Sequence, residues 1–186
     1  MKHTLYKGRL ISYIAISVGL IIVGALIKIP FALPLTLQLP VFLLTAFILG
    51  EYAIISAIIY LALGLLGLPV FAFGGGLGYV FQPSFGYLIG FVLACFICGK
   101  LFNPLPTGNR ITIKKAFFIT LLFLAIVYLV GVIYFVLISK LYLNSTSSIW
   151  TLFMVSFVST VWKDLLLSLI FLPIGTKLLP LIGLKK

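Results

Sequence analysis

The 186-residue chain is 63% hydrophobic and 8% charged, with a mean hydropathy of +1.36. A soluble domain carries about 25% charged residues, and a disordered one has low hydrophobicity and high charge, so both classes are excluded. Thirteen Lys and Arg against two acids, Glu51 and Asp164, give +11, but these bases lie between long apolar runs rather than on one soluble face. That excludes a nucleic-acid footprint and marks membrane orientation instead.

A helix needs about 20 mostly apolar residues to cross roughly 30 Å of hydrocarbon. The first such run, 10–29, follows Lys2, Lys7 and Arg9. It is longer than the apolar stretch of a signal peptide, and Ile29-Pro30-Phe31-Ala32 offers no small-x-small cleavage site, so it predicts an uncleaved span. Pro30, Pro34 and Pro40 then break the helix. Within that break Thr36 and Gln38 would share one side of an extended segment, where Gln38 offers both amide donors and a carbonyl acceptor.

Runs 35–50 and 52–68, divided only by Glu51, predict an antiparallel helix pair. The segment 67–83 is too rich in Gly and Pro for a helix and too aromatic for an ordinary loop. Apolar non-helical backbone of this kind must be buried in protein or line a cavity, which suggests a lid or re-entrant loop; the alternative is a flexible turn. Runs 85–102, 116–139 and 149–172 follow, with a polar linker carrying Pro104, Pro106 and Gly108 across 103–115. Pro173 falls near the end of the last run, where a membrane helix can continue past a kink.

With the N-terminus inside, Lys2, Lys7, Arg9, Lys100, Arg110, Lys114, Lys115, Lys177, Lys185 and Lys186 are cytoplasmic. Lys28 and Lys140 are then outside, and Lys163 lies within the sixth run. Six spans with both ends inside satisfy the positive-inside rule. No repeat at fixed period is present, which argues against an inverted-repeat transporter. The expected fold is an all-α integral membrane protein. It is a single transmembrane domain over residues 1–186, a compact bundle of six transmembrane helices with an ordered Gly- and aromatic-rich outer loop.

Few residues carry chemistry. Cys95 and Cys98 form a C-x-x-C, but the chain's one histidine is His3. A zinc site wants about four converging ligands, so the cysteines read as buried packing residues. Gly74-Gly75-Gly76-Leu77-Gly78 lacks the Lys-Ser/Thr of a P-loop and the preceding strand of a dinucleotide fingerprint. The strongest signal is Lys163-Asp164 inside an apolar run. Charges at such depth face the interior or a wet cavity. Neighbours about 100° apart on a helix are poor partners for each other. Glu51 is expected at the opposite surface, and Lys28 can reach Asp164 only by snorkelling. A polar ligand or water is then the missing partner, the alternative being pairing through backbone and water. In the first run Ala15 and Gly19 form a small-x-x-x-small pattern that lets another backbone approach closely.

Pro34-Leu35-Thr36-Leu37-Gln38, Gly64-Leu65-Leu66-Gly67-Leu68-Pro69-Val70-Phe71, the Gly run 74–78, Gly86-Tyr87-Leu88-Ile89-Gly90-Phe91 and Lys163-Asp164 together resemble the BioY family. BioY proteins are biotin-specific substrate-capture (S) subunits of energy-coupling-factor (ECF) vitamin transporters. The resemblance implies six membrane helices and capture of biotin from outside. It also implies partnership with a membrane coupling (T) subunit and two ATP-binding-cassette ATPases, in a bacterial plasma membrane, with no cofactor. It further implies that Asp164 accepts a ureido N–H, and that Lys163 reaches the ureido oxygen or the carboxylate. Phe73, Tyr79 and Tyr87 would pack on the bicyclic body, Gly74, Gly75 and Gly76 would admit it closely, and Thr36 and Gln38 would close the outer side. Ala15 and Gly19 would form the coupling-subunit surface.

The remaining alternatives are a facilitator or S subunit for another small vitamin-like compound, or a structural membrane subunit. An intramembrane enzyme lacks the converging His, Glu or Asp it would need, and a channel would want polar residues along a whole path.

Overall fold

The computed structural model describes residues 2–29, 35–102 and 112–182. Pro30, Phe31, Ala32 and Pro34, the linker residues Pro104, Pro106, Gly108 and Arg110, and Lys185 and Lys186 lie outside the described residues. In chain order the elements are α1 (Lys2–Leu26), β1 (Lys28–Ile29), β2 (Leu35–Thr36), α2 (Gln38–Leu49), a 3₁₀ turn (Gly50–Tyr52) and α3 (Ala53–Leu65). A second 3₁₀ turn (Leu77–Phe81) precedes α4 (Phe85–Leu101) and α5 (Ile113–Leu141). The last rod comprises α6 (Ile149–Phe153), a π-helical turn (Met154–Val158) and α7 (Ser159–Ile182).

Four helical segments are long and apolar enough to cross a membrane: Lys7–Leu26, Gln38–Leu65, Ile113–Leu141 and Ile149–Lys177; Phe85–Leu101 is a shorter apolar helix. The second of these folds back on itself. Gly50 has φ 54°, and the rings of Phe42 on α2 and Tyr60 on α3 lie 5.7 Å apart. A straight helix would separate them by about 27 Å at 1.5 Å per residue. The outer faces of the helices are themselves apolar, with Ile16 and Val23 on α1, Leu129 and Ile133 on α5, and Leu166 and Ile170 on α7 all exposed. A soluble bundle would turn polar residues outward there. Four helical segments of spanning length with apolar outer faces are those of a multi-pass membrane protein.

The interior is aromatic and tightly approached. Phe42 stacks on Phe91 at 4.5 Å, and Phe47 meets Phe102 at 3.9 Å. α4 lies along α5 so closely that a Cβ on Gly90 would sit 2.9 Å from the Val127 carbonyl oxygen, the small-residue approach that lipid-embedded helices rely on. Cys95 and Cys98 are free and buried on this seam, with the Cys98 thiol 3.8 Å from the Ile119 carbonyl oxygen.

Several element ends differ from the sequence reading. The first helix stops at Leu26, and Lys28–Ile29 pairs antiparallel with Leu35–Thr36. Backbone groups freed by the helix break are thus taken up in a short ribbon. The second helix begins only at Gln38, and the third stops at Leu65 rather than running to 68. α7 passes through Pro173 to Ile182. The π turn has no counterpart in the sequence reading.

Candidate functional site

At one end of the bundle the ribbon and the 66–84 loop meet α2, α4, α5 and α7 around a cleft. Its non-atom space is about 610 Å³, the solvent at its open mouth included. Its wall comprises Thr36, Gln38, Leu39, Ala72, Phe73, Tyr79, Ser84, Tyr87, Leu88, Phe91, Tyr128, Thr160, Lys163 and Asp164. Seven residues singled out from sequence therefore converge: Thr36, Gln38, Phe73, Tyr79, Tyr87, Lys163 and Asp164.

The charged centre corrects one expectation. Lys163 and Asp164 do pair with each other, Nζ meeting Oδ1. Successive positions diverge by about 100° at Cβ, but a flexible four-carbon stem lets the ammonium curl back to its neighbour. The same ammonium donates to the Thr36 carbonyl at 2.9 Å. The other carboxylate oxygen, Oδ2, accepts from the Tyr128 hydroxyl at 2.6 Å. Neither charge therefore lacks an internal partner, contrary to the sequence reading. The pair is largely buried, with side-chain exposures of 14% and 9%. Lys28 does not reach down to Asp164; it donates to the Ala72 carbonyl at 2.7 Å and lies 5.9 Å over the Phe73 ring.

Thr36 and Gln38 both line the cleft, although only Thr36 is extended; Gln38 opens α2. The Tyr60 hydroxyl gives its one proton to the Val70 carbonyl at 3.0 Å. It can then only accept from Gln38, whose Nε2 lies 3.0 Å away. This chain fixes the Gln38 amide so that its carbonyl oxygen remains an acceptor.

The 66–84 loop is folded onto the bundle. Phe71 and Gly74 exchange backbone hydrogen bonds at 2.9 and 3.1 Å, making a tight turn that puts Ala72 and Phe73 at its tip. The Phe71 ring fills the space over Gly64, where a Cβ would collide at 2.0 Å. Tyr79 is buried beside it, ring centroids 4.6 Å apart; burial raises its hydroxyl above the ordinary tyrosine range, so it is a neutral donor at pH 7. Gly74, Gly75 and Gly76 are not part of the cleft wall. Gly74 and Gly76 adopt φ 113° and 99°, and a Cβ on Gly75 would fall 2.1 Å from the Leu68 carbonyl oxygen. Their freedom serves the loop's own backbone.

Tyr87 presents its ring to the cleft and donates to the Ser156 carbonyl in the π turn at 2.6 Å. Tyr128, Thr160 and Ser84, with Leu39, Leu88, Phe91 and Ala72, are wall residues the sequence reading did not assign to the site. Thr160 carried a usable signal, since it precedes Asp164 by one helical turn and shares its face. Ala15 and Gly19 are not wall residues; they lie on an exposed face of α1, and a Cβ on Gly19 would meet nothing within 4 Å.

Comparison with known proteins fits this geometry. The family model for the BioY family matches residues 1–183. A probable biotin transporter BioY from Lysinibacillus sphaericus is 40% identical over 159 residues, 84% of this chain and 79% of that protein. Another from Pyrococcus horikoshii is 38% identical over 128 residues, 67% of this chain and 73% of its own. Among solved structures, the S-component for biotin from an ECF-type ABC transporter superposes with a TM-score of 0.66 at 27% identity, covering 92% of this chain and 91% of that one. The family match is nearly full-length, and the chain belongs to the BioY family.

Proposed function

We propose that this chain captures biotin from the outer side of a bacterial plasma membrane as the S subunit of an ECF-type transporter. In that role it crosses the membrane six times with both termini cytoplasmic, and works with a membrane T subunit and two ATPases that supply ATP hydrolysis. The observation that carries the reading is the buried Lys163–Asp164–Tyr128 cluster at the cleft. A ureido ring has two N–H donors and one carbonyl, and the cluster offers a carboxylate acceptor beside an ammonium donor. A charge-assisted bond from the ureido N–H also compensates the burial of Asp164.

The remaining wall suits the rest of the molecule. Leu39, Leu88 and Phe91 give an apolar surface for the thiophane ring, and Phe73, Tyr79 and Tyr87 pack on the bicyclic body. The Gln38 carbonyl oxygen is available to a second ureido N–H, and Thr36 closes the side beside the ribbon. Ala15 and Gly19 form the surface that meets the T subunit, since small residues on an exposed face admit a partner helix closely.

The test is equilibrium dialysis of the detergent-purified protein with labelled biotin, competed by unlabelled biotin and by other small vitamins. Saturable binding displaced by biotin alone is expected. Displacement by another vitamin at lower concentration would reassign the substrate, and no saturable binding would reject a capture role.

A further inference from the structure

We propose that Lys28 reads the anionic end of the ligand, so that the cleft holds a neutral urea group at Asp164 and a carboxylate at its mouth beside Lys28. The proposal rests on the biotin reading above and assigns the ligand's direction. Two acids exist in the chain, Glu51 and Asp164. Asp164 is engaged by Lys163, which makes the inner pair neutral overall. Glu51 lies beyond the far end of α2, about 18 Å along that helix from Gln38. Lys28 donates to a carbonyl, Ala72 O at 2.7 Å, and lies over the Phe73 ring at 5.9 Å. Neither contact neutralises its charge.

Position adds to charge. Lys28 pairs across the ribbon with Thr36, whose carbonyl holds Lys163. Lys28 is not itself a wall residue, but its backbone is paired with one, and its ammonium is bound to another, Ala72. Ala72 and Phe73, which Lys28 touches, are themselves wall residues. An ammonium has three N–H donors, so Lys28 can keep its bond to Ala72 and still bind a carboxylate. In the reverse direction the ligand carboxylate would meet an ammonium already engaged by Asp164 and the Thr36 carbonyl, with the Asp164 charge beside it opposing binding.

The experiment titrates the full-length protein with D-biotin and with biotinamide, which has the same ring and chain but no charge. The unmodified protein should prefer biotin roughly three- to tenfold, between the strength of an exposed ion pair and that of a charge-assisted hydrogen bond. Lys28→Met, which keeps the apolar stem, should bind biotin as weakly as biotinamide and leave biotinamide affinity unchanged. Lys28→Arg should retain the preference. Equal losses for both ligands in Lys28→Met would mean that Lys28 only holds the 66–84 loop, and overturn the proposal. Equal affinity of the unmodified protein for the two ligands overturns it without any variant. Binding of neither ligand by the unmodified protein would sink the biotin reading itself.

Discussion

Tyr128 on α5 and Asp164 on α7 meet through a hydroxyl-to-carboxylate hydrogen bond of 2.6 Å. The same hydroxyl lies 3.2 Å from Thr160 Oγ1, and the Tyr128 ring sits edge-on to Tyr87 and Phe157 at 5.7 and 5.3 Å. The acid is therefore held from two sides, by Lys163 on its own helix and by a tyrosine on another. Its orientation is set before any ligand arrives, which lowers the entropy lost on binding.

Asp164→Asn removes the charge and half the acceptor capacity while keeping the shape. Hydrogen bonds to charged groups contribute about 1.5–3 kcal/mol, so biotin affinity should fall roughly 10- to 150-fold. The fold should be weakened as well, because Lys163 loses its buried carboxylate partner and keeps only the Thr36 carbonyl. Asp164→Leu should bind more weakly still, since ligand donors are left unpaired. Biotin titration with an elution profile for each variant makes the check; unchanged affinity in a folded Asp164→Asn protein would give the acid a purely structural role.

Tyr128→Phe keeps the ring contacts and deletes only the donor. Affinity should drop roughly 2- to 12-fold, the range of a single net hydrogen bond. Because Tyr128 acts through Asp164, the loss should shrink sharply when Asp164→Asn is already present. A double-mutant cycle in biotin affinity measures this, and strictly additive losses would show that Tyr128 contributes independently of the acid.

Ala15→Trp and Gly19→Trp enlarge an exposed face of α1. Biotin binding by the isolated subunit should stay within about twofold, as expected for surface changes away from the site. Cellular uptake and co-purification with the T subunit should fail, because a large side chain blocks close helix approach. Loss of binding in the isolated subunit would instead make this face part of the bundle's own packing.

Six crossings with cytoplasmic ends predict a labelling pattern. In a background where Cys95 and Cys98 are replaced, a cysteine at Gly108 or after Lys186 should react only from the cytoplasm, and one at Asn144 only from outside. Impermeant maleimide on intact and opened cells reads this out. Reaction of the Gly108 and Asn144 positions from the same side would reject the six-span arrangement.

Much of this architecture is legible in the residues because hydrocarbon imposes a strict length and polarity rule. The α2–α3 hairpin is readable because Glu51 interrupts an apolar stretch too long for one crossing. The Lys163-Asp164 pair stands out because little else inside the apolar runs carries charge. What escapes is set by side-chain reach and distant contacts. A helical wheel treats Lys163 as a Cβ direction, whereas its ammonium moves several ångströms from that vector to meet its own neighbour. Tyr128 looks like one more aromatic in the fifth run until α7 brings Asp164 against it, and Met-Val-Ser-Phe-Val carries no mark of a π turn. Lys28 counts as a topological charge in sequence, and only the folded chain brings it against the wall residues Ala72 and Phe73.

The widened turn at Met154–Val158 also constrains how this gene can change length. Its Ser156 carbonyl takes the Tyr87 hydroxyl at 2.6 Å and the Thr160 hydroxyl at 3.0 Å, so it keys α4 to the last rod. Deleting one codon there would close the widened turn into a regular helix. The Ser156 carbonyl would then be drawn into the helix's own ladder, and Tyr87 would lose its present acceptor. The connection at 142–148 is fixed differently, by Tyr142 stacked on Phe81 at 4.6 Å and by Lys140 bound to the Ser145 and Ser147 carbonyls. Reading-frame-preserving deletions should therefore be purged from the widened turn.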